Sequence, residues 1–132
     1  MDKENKLVPG LPSGFEDRWE NKLLLKKKLL KAIENNFIKF GAEPLETPSF
    51  EISENIGSFL AEDEANPMSD VFSFQDGEKS ITLRYDLSSP LARFVAQNNQ
   101  ELPSIFKRYQ IQNVFRNEKA GNGRYREFMQ AD

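Results

Sequence analysis

The chain has 132 residues, with 18 basic and 21 acidic side chains for a formal charge of −3, and 38% of its residues are hydrophobic. That length suits one domain, and the apolar share is lean beside the ~45–50% usual for soluble domains once glycine is counted. The absence of Cys and His excludes disulfide frameworks, thiolate chemistry, Ser–His and Cys–His nucleophiles and most zinc sites.

Any chemistry must therefore use Arg, Lys, Asp, Glu, Gln and backbone amides. Eleven Phe spread among Leu and Ile give the chain enough to bury, so disorder is not expected. The N-terminus, Met1-Asp2-Lys3-Glu4-Asn5, has no apolar h-region, and apolar runs such as Leu23-Leu24-Leu25 fall far short of the roughly 20 residues that span a bilayer. A cytoplasmic protein without a membrane segment is expected.

Taken in order, Ser13-Gly14-Phe15-Glu16 has capping-box spacing ahead of a helix. Trp19, Leu23, Leu30, Ile33 and Phe37, joined by Leu29 and Phe40, recur at the helical period, and Gly41 is a natural stop. This block, Trp19–Lys39, carries six Lys and two Glu, a pattern that reads more readily as a solvated helix face than as a nucleic-acid contact. Glu43–Phe50 is extended and punctuated by Pro44 and Pro48. Glu54–Phe59 is a helical turn, and Ala61–Ser69 is an acidic loop. Val71–Gln75 and Lys79–Tyr85 are strands joined at Asp76-Gly77, a hairpin signal. Ser88 caps a second helix that has Pro90 in its first turn and runs to Asn98. Ile105–Arg116 and Arg124–Asp132 alternate as strands about the loop Asn117–Gly123. The fold class is α+β.

Period two decides which side chains share a strand face. In the last strand Arg124, Arg126, Phe128, Gln130 and Asp132 fall on one face, and Tyr125, Glu127, Met129 and Ala131 on the other. Guanidiniums suit bidentate phosphate contacts, a ring suits stacking on a nucleobase, and Gln with Asp suits a small polar substrate. Arg116 lies at the mouth of the same hairpin. Earlier, Arg84 and Asp86 share a face, and Asp86 followed by Ser88 can grip an ammonium group. Each piece also has a plain structural explanation: a surface Arg, pairing of Arg84 and Asp86 across neighbouring strands, a core Phe128. Together they point to a phosphate or nucleotide site on an antiparallel sheet. The Gly-rich phosphate loops GxGxxG and GxxxxGK[ST] are missing from the sequence, so side chains on a sheet would do the binding.

Phe115-Arg116-Asn117-Glu118, a loop, and Gly123-Arg124-Tyr125-Arg126-Glu127-Phe128-Met129-Gln130 resemble motif 2 of class II aminoacyl-tRNA synthetases in the histidyl-tRNA synthetase form. Leu11-Pro12-Ser13-Gly14-Phe15 resembles that family's entry segment. Gly41 through Glu46-Thr47-Pro48-Ser49-Phe50-Glu51 resembles motif 1, and Thr82-Leu83-Arg84-Tyr85-Asp86-Leu87-Ser88 the segment that holds the histidine amino group. The resemblance implies that residues 1–132 form the N-terminal part of a class II catalytic domain, with an incomplete antiparallel sheet flanked by helices. Motif 3 and the anticodon-binding domain would lie outside it.

By the same resemblance, Asp86 and Ser88 would hold the α-amino group of histidine, with Leu87 lining the pocket between them. Arg116 would be catalytic, binding the α-phosphate of ATP and the histidine carboxylate. Glu118 would lie near the adenine or the tRNA acceptor end. Arg124 and Arg126 would meet the triphosphate, Phe128 would stack on adenine, and Gln130 would contact histidine. The implied reaction activates histidine with ATP, with Mg2+ on the phosphates and no metal site on the protein, and charges tRNA(His). The implied assembly is a homodimer through motif 1. A fragment of this kind is expected to be inactive alone. Two alternatives belong to other classes: a catalytically silent paralogue, the regulatory subunit of ATP phosphoribosyltransferase in histidine biosynthesis, and a plain dimerisation fragment with a solvated polar face.

Overall fold

The computed structural model describes residues 7–60 and 70–132. Helix α1 spans Glu20–Lys39, and Leu23, Leu30, Ile33 and Phe37 form its half-buried side. Its docking is specific. Phe37 stacks on Tyr109 with ring centroids 5.5 Å apart, and the Tyr109 hydroxyl donates to Glu34 at 3.1 Å. At the C-terminus Gly41 takes φ +78°. That left-handed conformation lets its N–H reach the Ile38 carbonyl at 2.9 Å and the Ala42 N–H reach Phe37 at 3.1 Å, a Schellman closure that glycine adopts without Cβ strain.

The start of α1 differs from the capping box expected at Ser13–Glu16. Trp19 occupies the N-cap position, with no side-chain cap. Segment 13–16 is engaged elsewhere: the Gly14 carbonyl accepts the Arg126 N–H at 2.8 Å, Phe15 packs 6.3 Å from Phe72, and Glu16 pairs with Arg18 and Lys22. Trp19, Leu29 and Phe40, expected on the packed stripe, are exposed, as are Leu24, Leu25 and Ile38. The face opposite the packed stripe is thus not purely solvated lysine.

The extended segment divides into β1 (Glu43–Pro44) and the start of β2 (Phe50–Ile52). Helix α2 (Ser53–Leu60) lengthens the turn expected at Glu54–Phe59. The acidic loop Ala61–Ser69 lies outside the described residues. Strands β3 (Ser73–Asp76) and β4 (Lys79–Leu83) form the expected hairpin, with Asp76 opposite Lys79, and β2 pairs with the other edge of β4 to give the antiparallel order β2-β4-β3.

Helix α3 (Ser88–Asn98) also starts differently from expectation. Leu87 is its N-cap residue and Ser88 already lies inside the helix. Asp86 does the capping, its Oδ1 accepting the Ser89 N–H at 3.1 Å. A carboxylate satisfies an orphan amide and favours the positive helix end, so it is the stronger cap of the two.

The single strand expected over Ile105–Arg116 breaks at Gln110 into β5 (Arg108–Tyr109) and β6 (Ile111–Phe115). β5 pairs in parallel with β1. β6 pairs antiparallel with β7 (Glu127–Ala131), from Ile111 opposite Ala131 to Phe115 opposite Glu127. Gln110 and Asp132 extend this ladder by exchanging two backbone bonds of 2.9 Å. Helices, antiparallel sheets and one parallel pair make the fold α+β. Among the described residues no helix is long and apolar enough to cross a membrane.

The interior mixes apolar and polar groups, which accounts for the lean composition. Ile56, Val71, Leu87, Tyr109 and Val114 are buried, but so are Thr47, Thr82, Arg84 and Gln110. Arg84 does not pair with Asp86. It turns inward, donating from Nε to the Asn113 carbonyl at 2.6 Å and from Nη1 to the Thr47 carbonyl at 2.9 Å. Gln110 donates to the Thr47 hydroxyl at 3.0 Å, and Gln112 to the Thr47 carbonyl at 3.0 Å. Buried polar groups persist when partnered in this way, and these tie the segment around Thr47 to Arg84, Gln110 and Gln112.

Candidate active site

Two open cavities gather six of the side chains singled out in the sequence, Asp86, Ser88, Arg116, Glu118, Arg124 and Phe128. The first, of about 460 Å³, is lined by Arg116, Glu118, Gly123, Arg124, Tyr125 and Phe128. Arg116 follows β6 directly, and its N–H donates to the Arg126 carbonyl at 2.9 Å, so the ladder sets its direction. Its guanidinium lies between two rings, 4.3 Å from the Tyr85 centroid and 5.1 Å from that of Phe128. Its Nε also donates to the Tyr85 carbonyl at 3.4 Å. Aromatic faces attract a cation without neutralising it, and among the described residues Arg116 forms no ion pair.

Glu118 faces Arg124. The Arg124 guanidinium donates to the Glu118 carboxylate from Nε at 2.7 Å and approaches it with Nη2 at 2.5 Å, while the Tyr85 hydroxyl donates to the same carboxylate at 3.3 Å. The hydrogen bond from Arg124 holds the Glu118 carboxyl below its ordinary value, against an opposing effect of burial. Burial pushes the Tyr85 phenol up, the Glu118 charge adding to this and Arg116 opposing it. The phenol is therefore a donor at neutral pH.

The second cavity, of about 680 Å³, is lined by Asn55, Asp86, Ser88, Ser89, Ala92, Arg93, Ala96 and Gln97. Asp86 and Ser88 sit together at its α3 end, held by the capping bond to Ser89. One Asp86 oxygen serves that cap. Arg93 is locked by Glu51 of β2 in a bidentate pair of 2.7 and 2.9 Å. Because Tyr85 under Arg116 immediately precedes Asp86, one short segment backs Arg116 of the first cavity and lines the second.

Several expected positions differ. Arg126 lines neither cavity. Its guanidinium lies 4.7 Å from the Phe72 ring and 5.8 Å from Phe15, donates to the Ser13 carbonyl at 3.2 Å, and hydrogen-bonds to the Asn117 side chain. Tyr125, assigned to the opposite face, lines the first cavity. The reason is local. Gly121 and Arg124 bridge across a tight turn, and regular strand begins only at Glu127, so period two does not run through residues 124–126. Leu87 is fully buried and packs in the core. Gln130 stands opposite Gln112 in the β6–β7 ladder and lines neither cavity. Asp132 pairs with Arg108 at 3.0 Å.

Sequence reasoning missed Tyr85 and Arg93. Alternation placed Tyr85 off the Arg84–Asp86 face. For Arg93 a signal existed: Ser89, Arg93 and Gln97 follow one another at four-residue spacing along one face of α3. The donor set suits an anionic, ring-bearing ligand at the first cavity and a small cation at the second. Among the described residues no group of acidic side chains could hold a metal ion.

Known proteins can be set beside this geometry. A family model described as histidyl-tRNA synthetase matches residues 14–131. The histidine–tRNA ligase of Pelagibacter ubique is 78% identical over the whole of this chain, which spans 28% of that protein's length. The ligase of the same name from Brucella ovis is 45% identical over 99% of the chain and 26% of its own length. The crystal structure of histidyl-tRNA synthetase from Nostoc superposes with a TM-score of 0.76, at 28% identity, over 92% of this chain and 27% of that one. The chain thus spans little more than a quarter of the relatives it matches. With the family match running from the turn that carries Gly14 to the end of β7, through both cavities, the chain belongs to the histidyl-tRNA synthetase family.

Proposed function

We propose that this chain supplies the motif 1 and motif 2 portion of a histidine–tRNA ligase catalytic domain. The observation that carries the reading is Arg116, a cation held by two rings and, among the described residues, without a carboxylate partner, lining a cavity shared with Arg124, Glu118 and Phe128. That arrangement suits the phosphates and base of ATP. Asp86 and Ser88 suit the ammonium of histidine.

In the proposed reaction the histidine carboxylate oxygen attacks the α-phosphorus of ATP. The bond between that phosphorus and the oxygen bridging to the β-phosphate breaks, and pyrophosphate leaves. A terminal ribose hydroxyl of tRNA(His) then attacks the acyl carbon, releasing AMP. No protein nucleophile is needed. Arg116 would stabilise charge building on the α-phosphate oxygens, and the other groups would position the reactants. Mg2+ would accompany the ATP phosphates, where it offsets their charge. Arg124 would exchange Glu118 for phosphate oxygens. The packing of Arg126 behind the hairpin gives it the role of holding the entry segment against motif 2, while Leu87 and Gln130 would support the histidine site from core and ladder positions.

The exposed Leu24, Leu25 and Leu29 of α1, with Phe40 at its end, support a homodimer through motif 1 and the helix that leads into it, in a cytoplasmic protein. The regulatory-subunit alternative is not favoured, because the close relatives carry the ligase name.

The test uses a full-length chimera in which this chain replaces the matching segment of the Pelagibacter ubique relative. Histidine-dependent exchange of pyrophosphate into ATP is expected. Arg116→Ala should lower exchange by about a hundredfold or more, whereas Lys27→Ala, on the exposed side of α1, should leave it unchanged. Equal effects, or an inactive unmutated chimera, overturn the reading. The 132 residues alone should show no exchange.

A further inference from the structure

We propose that Tyr85 is the positioning residue of the nucleotide site, its ring setting the Arg116 guanidinium and its hydroxyl setting the Glu118 carboxylate. The inference rests on reading Arg116 and Glu118 as nucleotide-binding groups. Three contacts converge on this one residue. The ring lies 4.3 Å beneath the Arg116 guanidinium, the Tyr85 carbonyl accepts from Arg116 Nε at 3.4 Å, and the hydroxyl reaches Glu118 at 3.3 Å.

The platform is anchored on both sides. Before it, Arg84 donates its N–H to the Ser49 carbonyl at 3.0 Å and accepts the Phe115 N–H at 3.0 Å, while its buried guanidinium binds two further carbonyls. After it, Asp86 caps α3. Tyr85 therefore has little freedom to follow Arg116. Arg116 must come to it.

The division of labour within the side chain has a physical purpose. Arg116 and Glu118 lie two residues apart on the same loop, and a direct ion pair between them would cancel the charge a phosphate needs. The Tyr85 hydroxyl and Arg124 occupy the Glu118 carboxylate instead. The ring holds the Arg116 cation by its quadrupole, which leaves the Nη1–Nη2 end of the guanidinium to face phosphate oxygens, Nε being engaged by the Tyr85 carbonyl. A leucine at position 85 would remove both functions; a phenylalanine would remove only the hydroxyl.

The full-length chimera tests this with two readouts. By arginine side-chain NMR, the Arg116 Nε–H resonance should carry a ring-current shift that Tyr85→Leu reduces to the part Phe128 contributes and Tyr85→Phe retains. In pyrophosphate exchange, Tyr85→Leu should raise the KM for ATP about tenfold and leave the KM for histidine within about twofold. Tyr85→Phe should recover most of that loss. In an Arg116→Ala background, Tyr85→Leu should add only the small defect that Tyr85→Phe shows, because the ring and Arg116 act as one coupled unit and only the hydroxyl bond to Glu118 remains to be lost. An Arg116 resonance that Tyr85→Leu leaves where it is in the unmutated chimera, an unchanged KM for ATP, or fully multiplying effects of Tyr85→Leu and Arg116→Ala would each overturn the proposal. An unmutated chimera without exchange would overturn the proposed function instead, and the NMR readout would still judge Tyr85.

Discussion

The Glu51–Arg93 pair joins β2 to α3 beneath the second cavity, and its two ends are not equivalent. Arg93 Nε and Nη2 donate to the two carboxylate oxygens at 2.7 and 2.9 Å, yet the Glu51 side chain is 4% exposed and that of Arg93 22%. Arg93→Met strands a carboxylate that water cannot reach. Removing one partner of a buried pair costs about 3–5 kcal/mol. The nearby charge of Arg84, which interacts electrostatically with Glu51, puts the expected cost at the lower end, about 3 kcal/mol. Glu51→Gln leaves the opposite orphan, a guanidinium that retains an amide acceptor, a contact to Gln97 at 2.7 Å and access to water. Its expected cost is about 1 kcal/mol. Hydrogen exchange of the β2–β4 amides around Ile52 and Ile81, paired in register, measures the local opening free energy in the full-length chimera. Opening should become easier by about 3 kcal/mol in Arg93→Met and about 1 in Glu51→Gln. An equal or larger cost for Glu51→Gln would refute the argument that burial asymmetry governs this pair.

Gly14 and Gly41 share a left-handed conformation but differ in space. A Cβ at Gly41 meets nothing within 4 Å, whereas at Gly14 it would lie 2.6 Å from Cγ and 2.7 Å from Cδ of Arg126. Gly41→Ala should cost about 1 kcal/mol for its conformation alone. Gly14→Ala should cost more and displace Arg126 from Phe15 and Phe72, read as a change in aromatic proton shifts; equal costs would remove the packing role given to Arg126. Val114 is fully buried, so Val114→Ala should lower stability by about 2 kcal/mol, seen as faster exchange of β6 and β7 amides. Hydrogen bonding from Arg124 keeps the Glu118 carboxyl below 4.5. Stability from this contact is present in full above that ordinary value and is lost as pH falls through the lower folded-state value. Side-chain carbon NMR should show Glu118 titrating below 4.5 and moving back up in Arg124→Ala; a midpoint at or above 4.5 in the unmutated protein would contradict the geometry.

Local patterns in the chain were enough to place α1, the β3–β4 hairpin, α3 and the motif 2 hairpin, because each carries its own signal: helical spacing, a turn at Asp76-Gly77, a polar residue ahead of Pro90, alternation either side of a glycine loop. Their ends were less legible. The caps at Trp19 and Asp86 depend on which groups neighbouring segments claim, and Ser13–Glu16 is claimed by Arg126 and Phe72. The division of Ile105–Arg116 at Gln110 follows from β1 pairing with one part and β7 with the other. No residue spacing within that segment encodes either partner.

The same division holds for the site. The chemistry proposed for the site rests on residue types alone: without His or Cys, clustered arginines with Phe128, Asp86 and Ser88 point to phosphate and amine binding, and the order of motifs points to the family. Which arginine is available was settled by tertiary contacts. Arg116, Arg124 and Arg126 look alike along the chain. In the folded protein two rings hold Arg116, a carboxylate holds Arg124, and Arg126 packs against Phe15 and Phe72. A guanidinium is long and always charged, so its role depends on what surrounds its tip. Those surroundings come from Tyr85, Glu118 and the entry segment, brought together only when the sheets and the Gly14 turn assemble.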